Sequence, residues 1–530
     1  MMDDQGKSDR SVVPKKPSNK PANATSDRDH GEPYTGTKAE TPDTAKGKPT
    51  VAEHVADEGA EAVEGRGLAK ENADQQNAHR TQSRVSAPSA LDRVREAARR
   101  DKDAKFTALF HHITLDALHR AFLSLKRKAA AGVDAVTWEQ YAQDVEGNLA
   151  ALHAKLHKGA YRAKPSRRVF IPKADGRQRP LGIASLEDKI VQRAVVEVLN
   201  AIYENDFLGF SYGFRPGCGQ HDALDALAAG IAWKKVNWVL DADIRGFFDS
   251  IDHGWLVKFV EHRIADKRVL RLIQKWLNAG VLEDGRWTET EEGTPQGATI
   301  SPLLANIYLH YVLDLWAQQW RKRRAKGDVV IVRYADDFVL GFQHRSDAER
   351  FQWDLARRLR RFALELHPEK TRLIEFGRYA VRDRKARGHR KPETFTFLGL
   401  VHICSQVREW FVLRRRTSKK RMGTKLKAIK AEMLKRRHQS IPEQGKWLAS
   451  VVRGYFAYHA VPTNGESISA FRTQVVRLWR QALRRRSQRS RLDWARMHRL
   501  AVRWIPPARI QHPWPTKRFG VTIHGKSPVR

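Results

Sequence analysis

Only two cysteines, Cys218 and Cys404, occur in 530 residues. Neither a disulfide framework nor a four-cysteine zinc site can be built from them. Each reads as a small packed side chain in a reducing, intracellular setting. Runs of 18 or more apolar residues are missing, as is a signal-peptide core, so no membrane partner is expected. The acidic start Met1-Met2-Asp3-Asp4 argues against an Arg-rich transit peptide, and a cytoplasmic location is expected. Residues 1–90 contain no Phe or Trp and almost no large aliphatic side chains. Such a segment cannot offset its ordering entropy by burial, so it reads as a disordered N-terminal extension. Acids are also scarce: 60 Asp and Glu face 97 Lys and Arg, for a net charge of +37 and a pI near 10.4. A polyanionic partner, nucleic acid before others, is the economical explanation.

Against this background one stretch stands out, Val330-Ile331-Val332-Arg333-Tyr334-Ala335-Asp336-Asp337-Phe338-Val339-Leu340-Gly341-Phe342. Its β-branched and aromatic arms predict strand, tight turn, strand, with two adjacent carboxylates at the tip. Adjacent ionised carboxylates repel and resist desolvation unless a cation lies beside them. Hard oxygen ligands at a turn suit Mg²⁺. An exposed turn that happens to hold two Asp is the plainer reading, since turns favour Asp for backbone reasons. A second acidic stretch weighs against it. Apolar alternation at Trp238, Leu240, Ala242 and Ile244 predicts a strand with Asp241 and Asp243 together on its other face. A carboxylate at the end of that strand, beside the acidic hairpin, could hold two metals roughly 3.5–4 Å apart for nucleotidyl transfer.

Elsewhere, Arg167 to Gly182 predicts a hairpin with an Asp-Gly turn and cations on both sides. Such a hairpin could close on a triphosphate, or be basic only because the whole chain is. Helical spacing is predicted over Leu186–Tyr203, from about Asp249 to Ile264, and from Leu303 to about Trp316. The loop Gly293 to Pro302 holds Gln296 among Gly and Pro, which lets backbone and an amide approach a ligand closely. Arg414 to Arg437 holds 12 Lys or Arg and one acid, Glu432. A stripe of Met422, Leu426, Ile429 and Met433 predicts a helix whose outer face is cationic and could track a phosphate backbone, with Arg414, Lys419, Lys420 and Arg421 among its cations. A second cationic helix is predicted from Arg477 to Arg491, carrying Arg484, Arg485 and Arg486.

Taken together, the ordered motifs resemble those of the group II intron reverse transcriptases, also called intron-encoded maturases. Tyr334-Ala335-Asp336-Asp337 resembles that family's polymerase box, and Gly293-Thr294-Pro295-Gln296-Gly297 its Pro-Gln-Gly block. Ser211-Tyr212-Gly213-Phe214-Arg215-Pro216, Leu366-His367-Pro368-Glu369-Lys370-Thr371, Phe395-Thr396-Phe397-Leu398-Gly399 and the aromatic-rich Gly454 to Asn464 resemble further blocks. The resemblance spans roughly residues 91–515. It implies an α+β right-hand polymerase: fingers at 91–235, an antiparallel-sheet palm at 236–410, a helical thumb or maturase X domain at 411–505, then a basic Pro-rich tail at 506–530. It implies Asp243, Asp336 and Asp337 as catalytic metal ligands with the Ile244 carbonyl, and two Mg²⁺ ions, with Mn²⁺ as a substitute. Lys173 and Arg179 would contact the triphosphate, Phe248 would exclude a 2′-hydroxyl, Gln296 and Lys370 would flank the nucleotide, and Leu398 and Gly399 would grip the primer. Its partners would be intron RNA, an RNA template, a DNA primer or target, and dNTPs. The tail lacks the His, Asn and Cys pattern of an endonuclease domain, so none is expected. Two rival readings are a polymerase-idle RNA-binding splicing factor and a reverse transcriptase recruited to host defence.

Overall fold

The computed structural model describes residues 90–172, 178–283, 286–288, 292–294, 297–407, 410–486 and 492–518. The expectations for residues 1–89, Lys173, Gln296 and the end of the tail lie outside them.

Helix α1 (Ala90–Arg100) is followed by α2 (Leu115–Leu123), α3 (Trp138–Tyr141) and α4 (Val145–His157). Thr114 starts α2 and Asp144 starts α4 by accepting a backbone N–H from the first turn. Strands β1 (Ser166–Pro172) and β2 (Gln178–Ile183) form the expected antiparallel hairpin. β1 also pairs, in parallel, with β4 (Val281–Glu283), which pairs with β5 (Arg286–Thr288). Helix α5 (Leu186–Asp206) buries Ile190, Val191, Val195, Leu199 and Ile202, and α6 (Gln220–Trp233) follows.

The central sheet is antiparallel throughout, in the order β6-β7-β3-β8, with β3 Trp238–Ala242, β6 Val329–Tyr334, β7 Asp337–Phe342 and β8 Arg372–Glu375. Both of its faces are covered. Val239, Val330, Val332 and Val339 pack with Leu224, Leu227 and Ile231 of α6. Leu240, Ile331, Leu340 and Phe342 face the other way, into the large core that holds Phe351, Leu355 and Leu359 of α11 (Arg345–Arg360). A strand buried on both faces reads as continuous apolar sequence, and β6 does, apart from Arg333.

Several helices differ from their predicted bounds. After Phe247–Asp249, a short 3₁₀ turn, α7 runs only from His253 to Glu261, because Asp252 caps it. Helix α8 (Lys267–Leu277) comes next. The apolar helix after the Gly-Pro loop is α9 (Ser301–Leu309), a π turn at His310–Asp314, and α10 (Leu315–Arg323), so it extends past Trp316. The basic stretch from Arg414 divides: Arg414 lies on β11 (Trp410–Thr417), and the helix α13 spans Lys419–Lys435. Strand β11 pairs with β10 (Leu400–Val407), which pairs with β9 (Phe395–Phe397), while α12 (Ala380–Ala386) precedes them.

A separate core unites α13, α14 (Ile441–His459), α15 (Gly465–Arg484) and α16 (Trp494–Trp504). Phe456, Phe471 and Trp479 are fully buried there. α15 stops at Arg484, so Arg485 and Arg486 follow the helix rather than extending it, and 487–491 lie outside the described residues. Among the described residues no helix is long and apolar enough to cross a membrane.

Candidate active site

The hairpin β6–β7 closes through two residues, Ala335 and Asp336, between the paired Tyr334 and Asp337. Ala335 has φ +58, the left-handed region that costs a residue with a Cβ on the order of 1 kcal/mol. The surrounding bonds hold it there. Gly213 lies so close that a Cβ on it would collide with the Ala335 backbone nitrogen. Tyr212 donates its N–H to the Arg333 carbonyl, 2.9 Å, and Arg333 donates to that of Phe210, 2.8 Å, so the 210–212 segment also covers the outer edge of β6. Beneath the turn the Arg333 side chain is fully buried. Its guanidinium donates to the Asp314 carboxylate, at 2.7 Å and 2.5 Å, to Asn306 Oδ1 at 3.0 Å and to the Ala335 carbonyl at 2.9 Å. Asn306 in turn donates to the Gly213 carbonyl, 2.7 Å. The π turn sets Asp314 facing inward, where it is fully buried.

Sequence reasoning missed this cluster. The signal for it was present: an arginine inside Val-Val-Ile-Val-Arg-Tyr is a charge where each neighbour is buried, and a buried Arg needs a partner. Arg215, in the Ser211 to Pro216 block, is likewise structural. It is buried and donates to Glu204 and to the carbonyls of Leu208 and Ser211.

Register brings the second carboxylate to the tip. Asp241 pairs with Val339 and Ala242 with Phe338, so Asp243, one step further, lies opposite Asp337. Beyond it the chain pairs with another segment: His367 N–H donates to the Asp243 carbonyl and Arg245 N–H to that of Glu365, 2.8 Å and 2.9 Å. Because alternate residues of a strand direct their polar groups to opposite sides, the Ile244 carbonyl points away from that ladder.

Asp243, Ile244, Phe248, Asp336, Asp337, Arg179 and Lys370 all line one cleft of about 720 Å³. Phe247 touches it from the core, where it is buried, while Phe248 is half-buried at the wall. Thr396 and Phe397 line it next to Leu398 and Gly399, whose φ values of +47 and +80 make the turn from β9 to β10. Tyr458 of α14 donates its hydroxyl to the Leu398 carbonyl, 2.5 Å.

Charges in the cleft are unevenly paired. Asp243 forms an ion pair with Lys370, and Asp241 with Arg372 at 3.5 Å. Among the described residues no Lys or Arg forms an ion pair with Asp336 or Asp337. Desolvation on the cleft floor raises the Asp336 pKa, and Asp243 raises it further, while Arg179 and Lys370 oppose this from a distance. Asp337 is pushed up to about 7, first by desolvation and then by Asp336, Asp243 and Asp241. Asp337 as a residue is nonetheless exposed to solvent, so the crowding is that of an open cleft rather than of a sealed core.

The donor chemistry fits a divalent cation: among the described residues two carboxylates have no ion-pair partner, and a third lies opposite them in register. Among the described residues, though, no three His, Cys, Asp or Glu side chains stand close enough together to hold a metal as they are placed, with Asp243 turned to Lys370.

The basic residues expected to meet nucleic acid separate. Lys419, Lys420 and Arg421 are exposed at the start of α13, and Arg421 packs over Gly399 at the cleft edge. Arg484 and Arg485 are exposed at the end of α15. Arg414 is half-buried on its strand. Arg486 corrects the expectation, because it donates to the carbonyls of Arg437, 2.6 Å, and Gln439, and so closes a turn.

Residues 171–402 match the family described as reverse transcriptase (RNA-dependent DNA polymerase). Protein YkfC of Escherichia coli K12 is 35% identical over 249 residues, 42% of this chain and 65% of that protein. Group II intron-encoded protein LtrA of Lactococcus lactis subsp. cremoris is 35% identical over 231 residues, 42% of this chain and 38% of LtrA. An uncharacterized 91 kDa protein in the cob intron of Schizosaccharomyces pombe is 47% identical over 146 residues, 28% of this chain and 18% of that protein. The chain thus spans less than two thirds of each of these relatives. A domain of this family implies the right-hand polymerase fold and a divalent metal. Residues 171–402 thus match a reverse transcriptase domain, and the chain is similar to a group II intron-encoded protein over 42% of its length.

Proposed function

We propose that the chain is an RNA-directed DNA polymerase that also binds an intron RNA and assists its splicing and mobility. The observation that carries this reading is the carboxylate tip of β6–β7, which lacks an ion-paired cation among the described residues and faces Asp243 across one cleft inside the matched domain. In this reading residues 91–235 are the fingers, 236–410 the palm and 411–505 the thumb. Asp243, Asp336, Asp337 and the Ile244 carbonyl would hold two Mg²⁺ ions. Bound there, the ions would activate a primer 3′-hydroxyl and neutralise a triphosphate.

The chain's own residues supply the rest. Arg179 and Lys370 bring positive charge to the side of the cleft where the triphosphate would lie, and Lys173 would add to it. Phe248 offers a half-buried ring at the cleft wall, which would exclude a 2′-hydroxyl and select deoxynucleotides. Leu398 and Gly399, fixed by Tyr458, would hold the primer end. Lys419, Lys420 and Arg421 at one end of the helical core, and Arg484 and Arg485 at another, would hold the phosphate backbone.

An idle polymerase fits less well, because three carboxylates around one cleft are costly to keep without a cation. Relatives with intron in their names favour an intron role over host defence. Extension of a DNA primer on an RNA template with Mg²⁺ and dNTPs, and not with NTPs, tests the activity. Phe248→Val should lower the preference for dNTPs over NTPs by about tenfold. Unchanged discrimination would move the selecting group elsewhere in the cleft.

A further inference from the structure

Helices α10 and α11 lie antiparallel, and their contacts fix the register. Arg350 donates to the Arg324 carbonyl, Trp320 Nε1 and Arg324 donate to Asp354 at 2.8 Å and 2.9 Å, and Arg358 donates to the carbonyls of Val312 and Tyr311 at 3.0 Å and 3.1 Å. Between them runs a groove of about 590 Å³. Arg323 and Arg324 line it from α10, Arg357, Arg358, Arg360 and Arg361 line it from α11 and its end, and Asp354 is its one acid. The inner side of α11, with Phe351, Leu355 and Leu359, packs on the central sheet, so the groove lies on the outside of that layer. It shares no lining residue with the carboxylate cleft.

Two of the six arginines are committed to the fold, Arg324 to Asp354 and Arg358 to backbone carbonyls. The side chains of Arg323, Arg360 and Arg361 make no hydrogen bond or ion pair among the described residues. Arg357 lies 4.5 Å over the ring of Trp353, which is 60% exposed beside the groove. Like charges three and four residues apart on a helix repel, and the helix C-terminus relieves only part of that. Forked donors in a slot, with an accessible indole alongside, match phosphate oxygens and an unstacked base. Trp316 and Trp320 also line the slot, and Trp320 is buried.

We propose that this groove is a second nucleic-acid site, distinct from the carboxylate cleft, which holds a phosphodiester backbone through Arg323, Arg357, Arg360 and Arg361. It goes beyond the polymerase reading, because none of these arginines lines the carboxylate cleft.

The test uses the full chain, with the carboxylate cleft preoccupied by an unlabelled short primer–template. A fluorescein-labelled RNA hairpin with a single-stranded tail is titrated by anisotropy at several salt concentrations. The triple variant Arg323→Gln, Arg360→Gln, Arg361→Gln should bind at least about tenfold more weakly, and its log–log salt slope should fall by about 2. Primer extension on the short template should stay unchanged, which separates failure of this site from failure of the polymerase reading. A control of equal charge loss, Arg382→Gln, Lys385→Gln, Lys391→Gln, should lose little. Competition by unlabelled RNA or by duplex DNA identifies which backbone the groove prefers. Equal weakening in the two triple variants would overturn the proposal, since charge would then act without a site. So would unchanged binding, or displacement of the hairpin from this groove by anionic vesicles and by neither nucleic acid.

Discussion

The root and the tip of the β6–β7 hairpin lie three residues apart and treat charge in opposite ways. At the root Arg333 is sealed from water and bonded to Asp314, Asn306 and a carbonyl. At the tip Asp336 and Asp337 are left without a protein counter-ion among the described residues, with their carboxyl pKa values raised. A buried ion pair stabilises only when its geometry and remaining hydrogen bonds are complete. The root meets that condition and fixes the backbone. The tip does not, and the difference marks where an external cation belongs.

The strongest way to break the contrast is at the tip. Asp336→Ala or Asp337→Ala should reduce primer extension to background while leaving circular dichroism and RNA binding intact. Extension that persists in either variant would remove the catalytic assignment. At the root, Arg333→Met leaves Asp314 buried and uncompensated, and should cost about 3–5 kcal/mol in urea unfolding of the transition that includes the sheet. Arg333→Met combined with Asp314→Leu should recover most of that stability but not extension, because the Ala335 carbonyl still lacks its donor. If the double variant is as unstable as the single one, the pair is not what holds the root.

The smallest effect sharpens the comparison through pH. The carboxyl of Asp337 rises from an ordinary 3.8 to about 7 on folding. Between these values the unfolded chain has lost a proton that the folded chain keeps, so stability contributed by this group falls as pH rises and stays lost above 7. Asp337→Asn carries no such charge. In EDTA at pH 8 it should melt about 2–4 °C above the parent chain, and the gap should narrow toward pH 4. A gap that does not depend on pH would mean the carboxylate is not desolvated.

Much of this was legible in advance because it is periodic. The strand–turn–strand of the tip, the strand before Asp243, the hairpin at Arg167 to Gly182 and helix α5 all follow from alternation or helical spacing. The convergence of Asp243 with Asp337 came from a motif resemblance, and register supplies its physical form. Long-range pairing was invisible. Arg333 finds Asp314 through a π turn that no spacing announces, and Arg415, read as one more cation on a helix, is buried on β11 against Asp225, 190 residues earlier, at 2.6 Å. Composition misled there: Lys and Arg favour helices, but Trp410 to Leu413 carry strand-forming residues that pull the arginines after them into β11. Arg486 misled in the same way, because a charge at a helix end looked like a binding group and is instead a hydrogen-bond donor to a turn.

Asp225 has a second partner with a different implication. Arg518 reaches back from the last described turn to Asp222 and to Asp225, the latter at 3.0 Å, across 296 and 293 residues. During synthesis at roughly 5–20 residues per second, those acids emerge from the ribosome some tens of seconds before the guanidinium that closes over them. Arrested nascent chains ending short of Arg518 should therefore expose this seam to protease, and release of the full chain should seal it.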